Sequence, residues 1–212
     1  MTKGFSVRPS SRYRPVMAKL TVSVLTSLDG YFEGPGKDLS TMPFEDAFNT
    51  HNLELLERAG TLVYGSTWFT DNWSAWSDVA ADDSQDARDH RIARLVLSLD
   101  SVVISDSLTI NPDDPWAATT QVVARAKAPA EIANLKRTQT GDLLMFGSAT
   151  TWNPLLEHGL VDELFVLVGP ALLGNGSPLY SGQQAGLRLL DARPLPGSEL
   201  VRLHYAVTGT QT

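Results

Sequence analysis

Apolar residues fall into short runs separated by polar, glycine-bearing turns, and the period of the runs changes along the chain. Leu20-Thr-Val-Ser-Val-Leu-Thr26 is β-branched and mostly apolar, which predicts a buried strand over Lys19 to Thr26. Thr61 to Tyr64, Ser101 to Ser105, Gln121 to Ala124, Asp142 to Phe146 and Glu163 to Val168 read the same way. Between them the spacing turns helical. Phe44, Ala47, Phe48, Leu53, Leu55, Leu56 and Ala59 recur behind Pro43, a residue suited to a first helical turn, and Gly60 stops the run. Pro129 opens a helix over Ala130 to Arg137, and Trp152 to His158 predicts another that Gly159 ends. Asp71 to Asp89 carries six aspartates and reads as a solvated, turn-rich segment passing into a helix through Ala87, Arg91, Arg94 and Leu95. Leu187 to Leu190 and Glu199 to Val207 flank Pro194-Leu-Pro-Gly197 and predict an antiparallel pair. Strands alternating with helices, then strands alone, predict an α/β fold. Its central sheet is mostly parallel, flanked by helices, with antiparallel C-terminal strands.

Charge sharpens the domain reading. The chain has 212 residues and a net charge of −7. Residues 1–16 hold Lys3, Arg8, Arg12 and Arg14 and no acid. Removing these 4 from the 17 basic residues leaves 13 against 24 acidic ones, so the remainder stands at −11. The leader lacks an apolar core and a small-residue cleavage site, so it does not read as a secretory signal. We expect 1–16 to be a flexible extension and 17–212 a single domain, since a fresh start-like Met17-Ala-Lys-Leu follows. The acidic body argues against a nucleic-acid partner. No apolar run reaches the roughly 18–20 residues that span a bilayer. The expected setting is cytoplasmic, with a small molecule as the partner. There is no cysteine, and His51, His90, His158 and His204 lack metal-binding spacing, so no metal site is expected.

In open α/β sheets, ligands sit beyond the carboxyl ends of strands, where loops enter helices. Three such junctions carry small residues: Gly65-Ser66-Thr67, Ser105-Asp106 and Gly147-Ser148-Ala149-Thr150. Small residues let backbone N–H groups approach an anion, and a helix N-terminus adds partial positive charge. The three together point to a phosphate-bearing ligand. None matches a phosphate-binding Walker loop or the dinucleotide glycine fingerprint, and no G-x-S-x-G marks a serine hydrolase.

A set of ordered blocks carries a further resemblance. They are Val24-Leu-Thr-Ser-Leu-Asp-Gly30 with Glu33-Gly-Pro-Gly-Lys-Asp-Leu-Ser40, Leu62-Val-Tyr-Gly65 with Thr67, Val102-Val-Ile-Ser105, Asp142-Leu-Leu-Met-Phe-Gly-Ser-Ala149, Leu155 to Glu163, and Gly169 to Leu179. In this order the chain resembles the dihydrofolate-reductase-like proteins related to the C-terminal reductase domain of the bifunctional riboflavin-biosynthesis deaminase–reductase. The resemblance covers about Met17 to Val207. It implies the dihydrofolate-reductase fold, NADPH as cofactor, and hydride transfer to a heterocycle or other conjugated group. It also implies that Thr26 to Gly36, including Gly30, covers the nicotinamide. Gly65, Ser66, Thr67, Ser105 and Gly147 to Thr150 would then hold the cofactor, and a homodimer is expected. Two positions depart from the family pattern: Ser66 and Asp106 stand where arginines usually read the cofactor phosphate. NADH or a flavin therefore stays open beside NADPH, and so does a binding or structural protein that has changed its cofactor use. Tyr31 also replaces a frequent lysine.

Candidate chemistry follows from position. Asp29 ends the first strand before a glycine and is a candidate to orient the nicotinamide loop or a substrate group. Glu45 and Asp46 open the first long helix, where a buried carboxyl could protonate an imine beside hydride transfer. Phe48 and Asn49 on that helix, with Asn49 four residues after Glu45, are candidate substrate contacts. Trp68 begins an aromatic stretch, with Phe69, Trp73 and Trp76, that could form an apolar substrate wall.

Overall fold

The computed structural model describes residues 17–210. The N-terminal extension expected for residues 1–16 lies outside the described residues. The described chain forms one eight-stranded sheet with helices on both faces, together with a small two-stranded sheet. The strands of the large sheet are β1 (Leu20–Thr26), β3 (Ala59–Gly65), β4 (Asp100–Ile104), β5 (Thr120–Val123), β6 (Asp142–Phe146), β7 (Glu163–Val168), β9 (Ala185–Pro194) and β10 (Val201–Thr210). Their order is β5-β4-β3-β6-β1-β7-β10-β9. Every pairing is parallel up to β7, and β10 and β9 then add antiparallel strands. This is the architecture the sequence predicts. β2 (Tyr31–Glu33) and β8 (Ser177–Pro178) form the small sheet.

β1 sits between β6 and β7 and is buried along its whole length, which explains why its apolar run is nearly continuous. On one face its valines pack with α4 (Ala128–Thr138) and α5 (Ala149–Glu157), through Ile132, Leu135, Trp152 and Leu155. On the other, Leu62, Tyr64, Leu144 and Phe165 meet α1 (Asp46–Leu56), α2 (Ser66–Ala81) and α3 (Ala87–Ser98) through Leu56, Phe69 and Ile92.

Local expectations change at several points, and Ala59 and Gly60, expected to finish the first helix, instead begin β3. α1 starts at Asp46 and not behind Pro43; Pro43 instead lies against Gly169 at the end of β7. The stretch expected to be turn-rich is mostly the helix α2, followed by the short link to α3. Phe69, Trp73 and Trp76 recur at helical spacing, and the core this stripe meets outweighs the aspartates. Asp86 then caps α3 by accepting from the Asp89 backbone N–H at 2.7 Å.

Candidate functional site

A cleft of about 390 Å³ lies beyond the carboxyl ends of β1, β3 and β6. Its floor is Ser23, Val24 and Leu25 of β1 and Phe146 at the end of β6. One wall is the start of α2, with Thr67, Trp68 and Asp71; another is the turn Gly147 to Thr150. Phe44 and Phe48 approach from the entry to α1, their rings 5.3 Å apart and edge to face. Phe32, Glu33 and Lys37 close the remaining side from the loop after β1.

The N-termini of α2 and α5 meet at this cleft. Gly65, the N-cap of α2, packs so closely on α5 that a Cβ there would lie 2.7 Å from Thr151 Oγ1 and 3.4 Å from Ser148 Oγ. Only glycine allows that approach. Gly147 turns the chain with φ 63°, and Ser148 follows with φ 52° as the N-cap of α5. Neither helix start carries a side-chain cap, so the first N–H groups of both remain available to an acceptor.

The residues expected from the sequence separate into two groups. Phe48, Thr67, Trp68, Gly147, Ser148, Ala149 and Thr150 line the cleft. Gly65 and Ser66 lie directly behind Thr67, at the α2 start. Ser105 sits at the end of neighbouring β4, and its hydroxyl accepts the N–H groups of Ser107 and Leu108, closing its own turn. Asp106 beside it accepts the Arg125 backbone N–H at 2.9 Å, and its other oxygen lies 3.7 Å from Arg125 Nε. A guanidinium therefore stands beside the aspartate that replaces the family's arginine.

The three carboxylates expected to be catalytic have other partners and do not line the cleft. Asp29 accepts from Ser27 Oγ at 2.7 Å and from the backbone N–H groups of Leu173 and Gly174 at 3.1 and 2.7 Å. These bonds, the Ser27 one foremost, hold it below the ordinary carboxylate range, so it ties the loop after β1 to the loop after β7 as a fixed anion. Its neighbour Gly30 supplies the φ of 87° that this turn needs. Glu45 accepts from Ser198 Oγ. Asp46 pairs with Arg88 of α3 at 2.9 Å, and Asn49 donates to Asp89 of α3 at 3.4 Å. Asp46 and Asn49 thus clasp α1 to α3, and Glu45 ties its start to the β9–β10 turn.

Several cleft residues went unmarked in the sequence. Glu33 and Lys37 lie in the Glu33-Gly-Pro-Gly-Lys37 segment, but only the fold brings them to the cleft wall. Asp71 is four residues after Thr67, which places it on the same helix face once α2 is a helix. Trp152 is buried at 1% exposure yet lines the cleft, and its Nε1, like that of Trp68, has no hydrogen-bond partner. No group of three or more potential metal ligands occurs among the described residues. No helix among them is long and apolar enough to cross a membrane.

Residues 18–197 match the model of the RibD C-terminal domain, and the chain belongs to that family. Among solved structures it is similar to a putative riboflavin biosynthesis protein from Shewanella sp. PV-4, with TM-score 0.64 and 22% identity over 90% of this chain and 99% of that one. It is also similar to a diaminohydroxyphosphoribosylaminopyrimidine deaminase/5-amino-6-(5-phosphoribosylamino)uracil reductase from Thermotoga maritima. That likeness has TM-score 0.62 and 11% identity over 90% of this chain and 57% of that one. A third likeness is to dihydrofolate reductase from Enterococcus faecalis complexed with NADP(H), with TM-score 0.55 and 13% identity over 90% of this chain and 96% of that one. The fold is dihydrofolate-reductase-like, as the sequence resemblance implies.

Proposed function

We propose that this protein is an NADPH-dependent reductase of a small planar heterocycle, of the pyrimidine or a related class. The observation that carries this reading is the convergence of two helix N-termini, free of side-chain caps, on an aromatic cleft. The first fits a pyrophosphate and the second a planar ring. Family membership and the likeness to solved reductases support the same reading.

The donor set fits NADPH in three places. Backbone N–H groups at Ser66 to Thr67 and Ala149 to Thr150 would take the pyrophosphate. Arg125, at the end of β5 next to Asp106, would supply the cation for the adenosine 2′-phosphate that Ser66 does not. Phe146 and Gly147 would seat the nicotinamide end. When bound, NADPH supplies the hydride; the chain positions the rings and excludes water. Phe44, Phe48 and Trp68 would hold the acceptor ring. The carboxyl groups facing it are Glu33, which accepts from Ser177 Oγ at 2.6 Å, and Asp71. We assign them the proton-handling role first considered for Asp29, Glu45 and Asp46.

We also propose a cytoplasmic homodimer. β9 is an open edge of the sheet, and Leu187, Leu189 and Leu190 are exposed on it. Such an edge is normally paired or covered.

The activity is tested by following loss of nicotinamide absorbance with aminouracil and pterin-type heterocycles. Oxidation of NADPH that requires the heterocycle is expected. Tight NADPH binding with no oxidation by any of them would favour the ligand-binding alternative.

A further inference from the structure

His51 of α1 is 2% exposed and packs on Phe165 of β7 at 5.3 Å between ring centroids. Its Nε2 lies 3.4 Å from Ser23 Oγ, and its Nδ1 is sealed from solvent without a partner. Ser23 is 4% exposed and forms part of the cleft floor, where its backbone carbonyl accepts the Gly147 N–H at 3.1 Å. The ring is neutral, because burial and the neighbouring Arg202, Arg193 and His204 oppose a further positive charge.

A neutral imidazole has one N–H and one lone pair. With the proton on Nδ1, a donor would be buried with no acceptor, and the Ser23 hydroxyl hydrogen would be spent on Nε2. With the proton on Nε2, the imidazole donates to Ser23 Oγ, and Nδ1 keeps a lone pair. Buried N–H groups without acceptors are the rarer defect. The Phe165 ring is bordered on another side by Arg202, whose own buried Nε–H has no acceptor. A second donor on Nδ1 would add another buried N–H without an acceptor, whereas a lone pair would not.

We propose that His51, as the Nε2–H tautomer, fixes the Ser23 hydroxyl as a hydrogen-bond donor at the cleft floor, aimed at a ring-borne carbonyl oxygen of the ligand. Ser23 is then a ligand-binding residue and His51 a positioning residue that acts through it. The inference rests on the cleft being the cofactor and substrate site, and the nicotinamide carboxamide is the accessible example of such a carbonyl.

Two measurements test it on the full chain. Nitrogen-15 NMR of labelled histidine, with His51→Gln for assignment, is expected to show His51 protonated at Nε2 at neutral pH, with a resonance that moves in Ser23→Ala. An Nδ1–H tautomer, or no response to Ser23→Ala, would overturn the pair. In NADPH titrations, Ser23→Ala and His51→Phe are each expected to weaken binding by about 3–10-fold, as for one neutral hydrogen bond. The double variant should be no weaker than either, and His51→Gln, which keeps an N–H, should recover part of the loss. Losses that multiply, or an unchanged affinity in Ser23→Ala, would overturn the assignment. Failure of the unaltered chain to bind NADPH would count against the cofactor reading, and the NMR result would then decide the Ser23–His51 pair alone.

Discussion

Burial leaves His51 neutral, with its pKa lowered from 6.5 to about 4 by desolvation first and then by Arg202, Arg193 and His204. The unfolded chain therefore binds a proton that the folded chain refuses. The stabilisation is fully present above pH 6.5 and is lost as pH falls through about 4. Urea unfolding between pH 7 and 4 should show this slope, and His51→Phe should flatten it; an unchanged slope would contradict the burial argument. Arg125 carries a second expectation at this scale. Arg125→Ala should weaken NADPH by about tenfold while leaving NADH within about twofold, as for loss of one charge-assisted contact. Equal effects on both dinucleotides would place the 2′-phosphate elsewhere. The sequence shows Arg125 only as a cation; its place beside Asp106 depends on β5 lying next to β4.

At the cleft, β3 ends in close contact with α5. Gly65→Ala would drive a Cβ to 2.7 Å from Thr151 Oγ1 and push the two helix starts apart. We expect a destabilisation of about 1–3 kcal/mol, in the range of overpacked cores, and weaker NADPH binding. Adding Thr151→Ala removes the clashing hydroxyl and should restore part of both; no recovery would place the strain elsewhere. The strands were legible because buried parallel strands keep continuous apolar runs, as in β1, β6 and β7. α2 was not, because its aspartates and serines mask an aromatic stripe that becomes evident only against Tyr64 and Trp116. The site divides on the same ground. The glycine turn at Gly147 and the α2 start were legible because backbone geometry there demands small residues. Glu33, Lys37 and Asp71 were not, since surface charges gain meaning only from the walls they face. Glu45 and Asp46 satisfied a helix-start pattern and serve contacts with Ser198 and Arg88.

The large sheet ends in two edge strands, β5 and β9. The first, β5, carries no exposed large apolar side chain, while β9 leaves three leucines exposed. If β9 and β10 bury this surface against a second copy, Leu189→Lys should convert a dimer to a monomer in light scattering after gel filtration. A monomeric unaltered chain would remove the dimer from the account. The acidic body is consistent with a cleft that has a single lining cation, Lys37, and draws its other positive character from helix termini. Those termini make the central claim measurable without knowing the substrate. Trp68 and Trp152 line the cleft and report on its occupancy. Titration of the full chain with NADPH, NADH and FMN, followed by tryptophan fluorescence, should give saturable quenching by NADPH at micromolar concentrations and weaker quenching by NADH. A flat response to all three would contradict the reductase account.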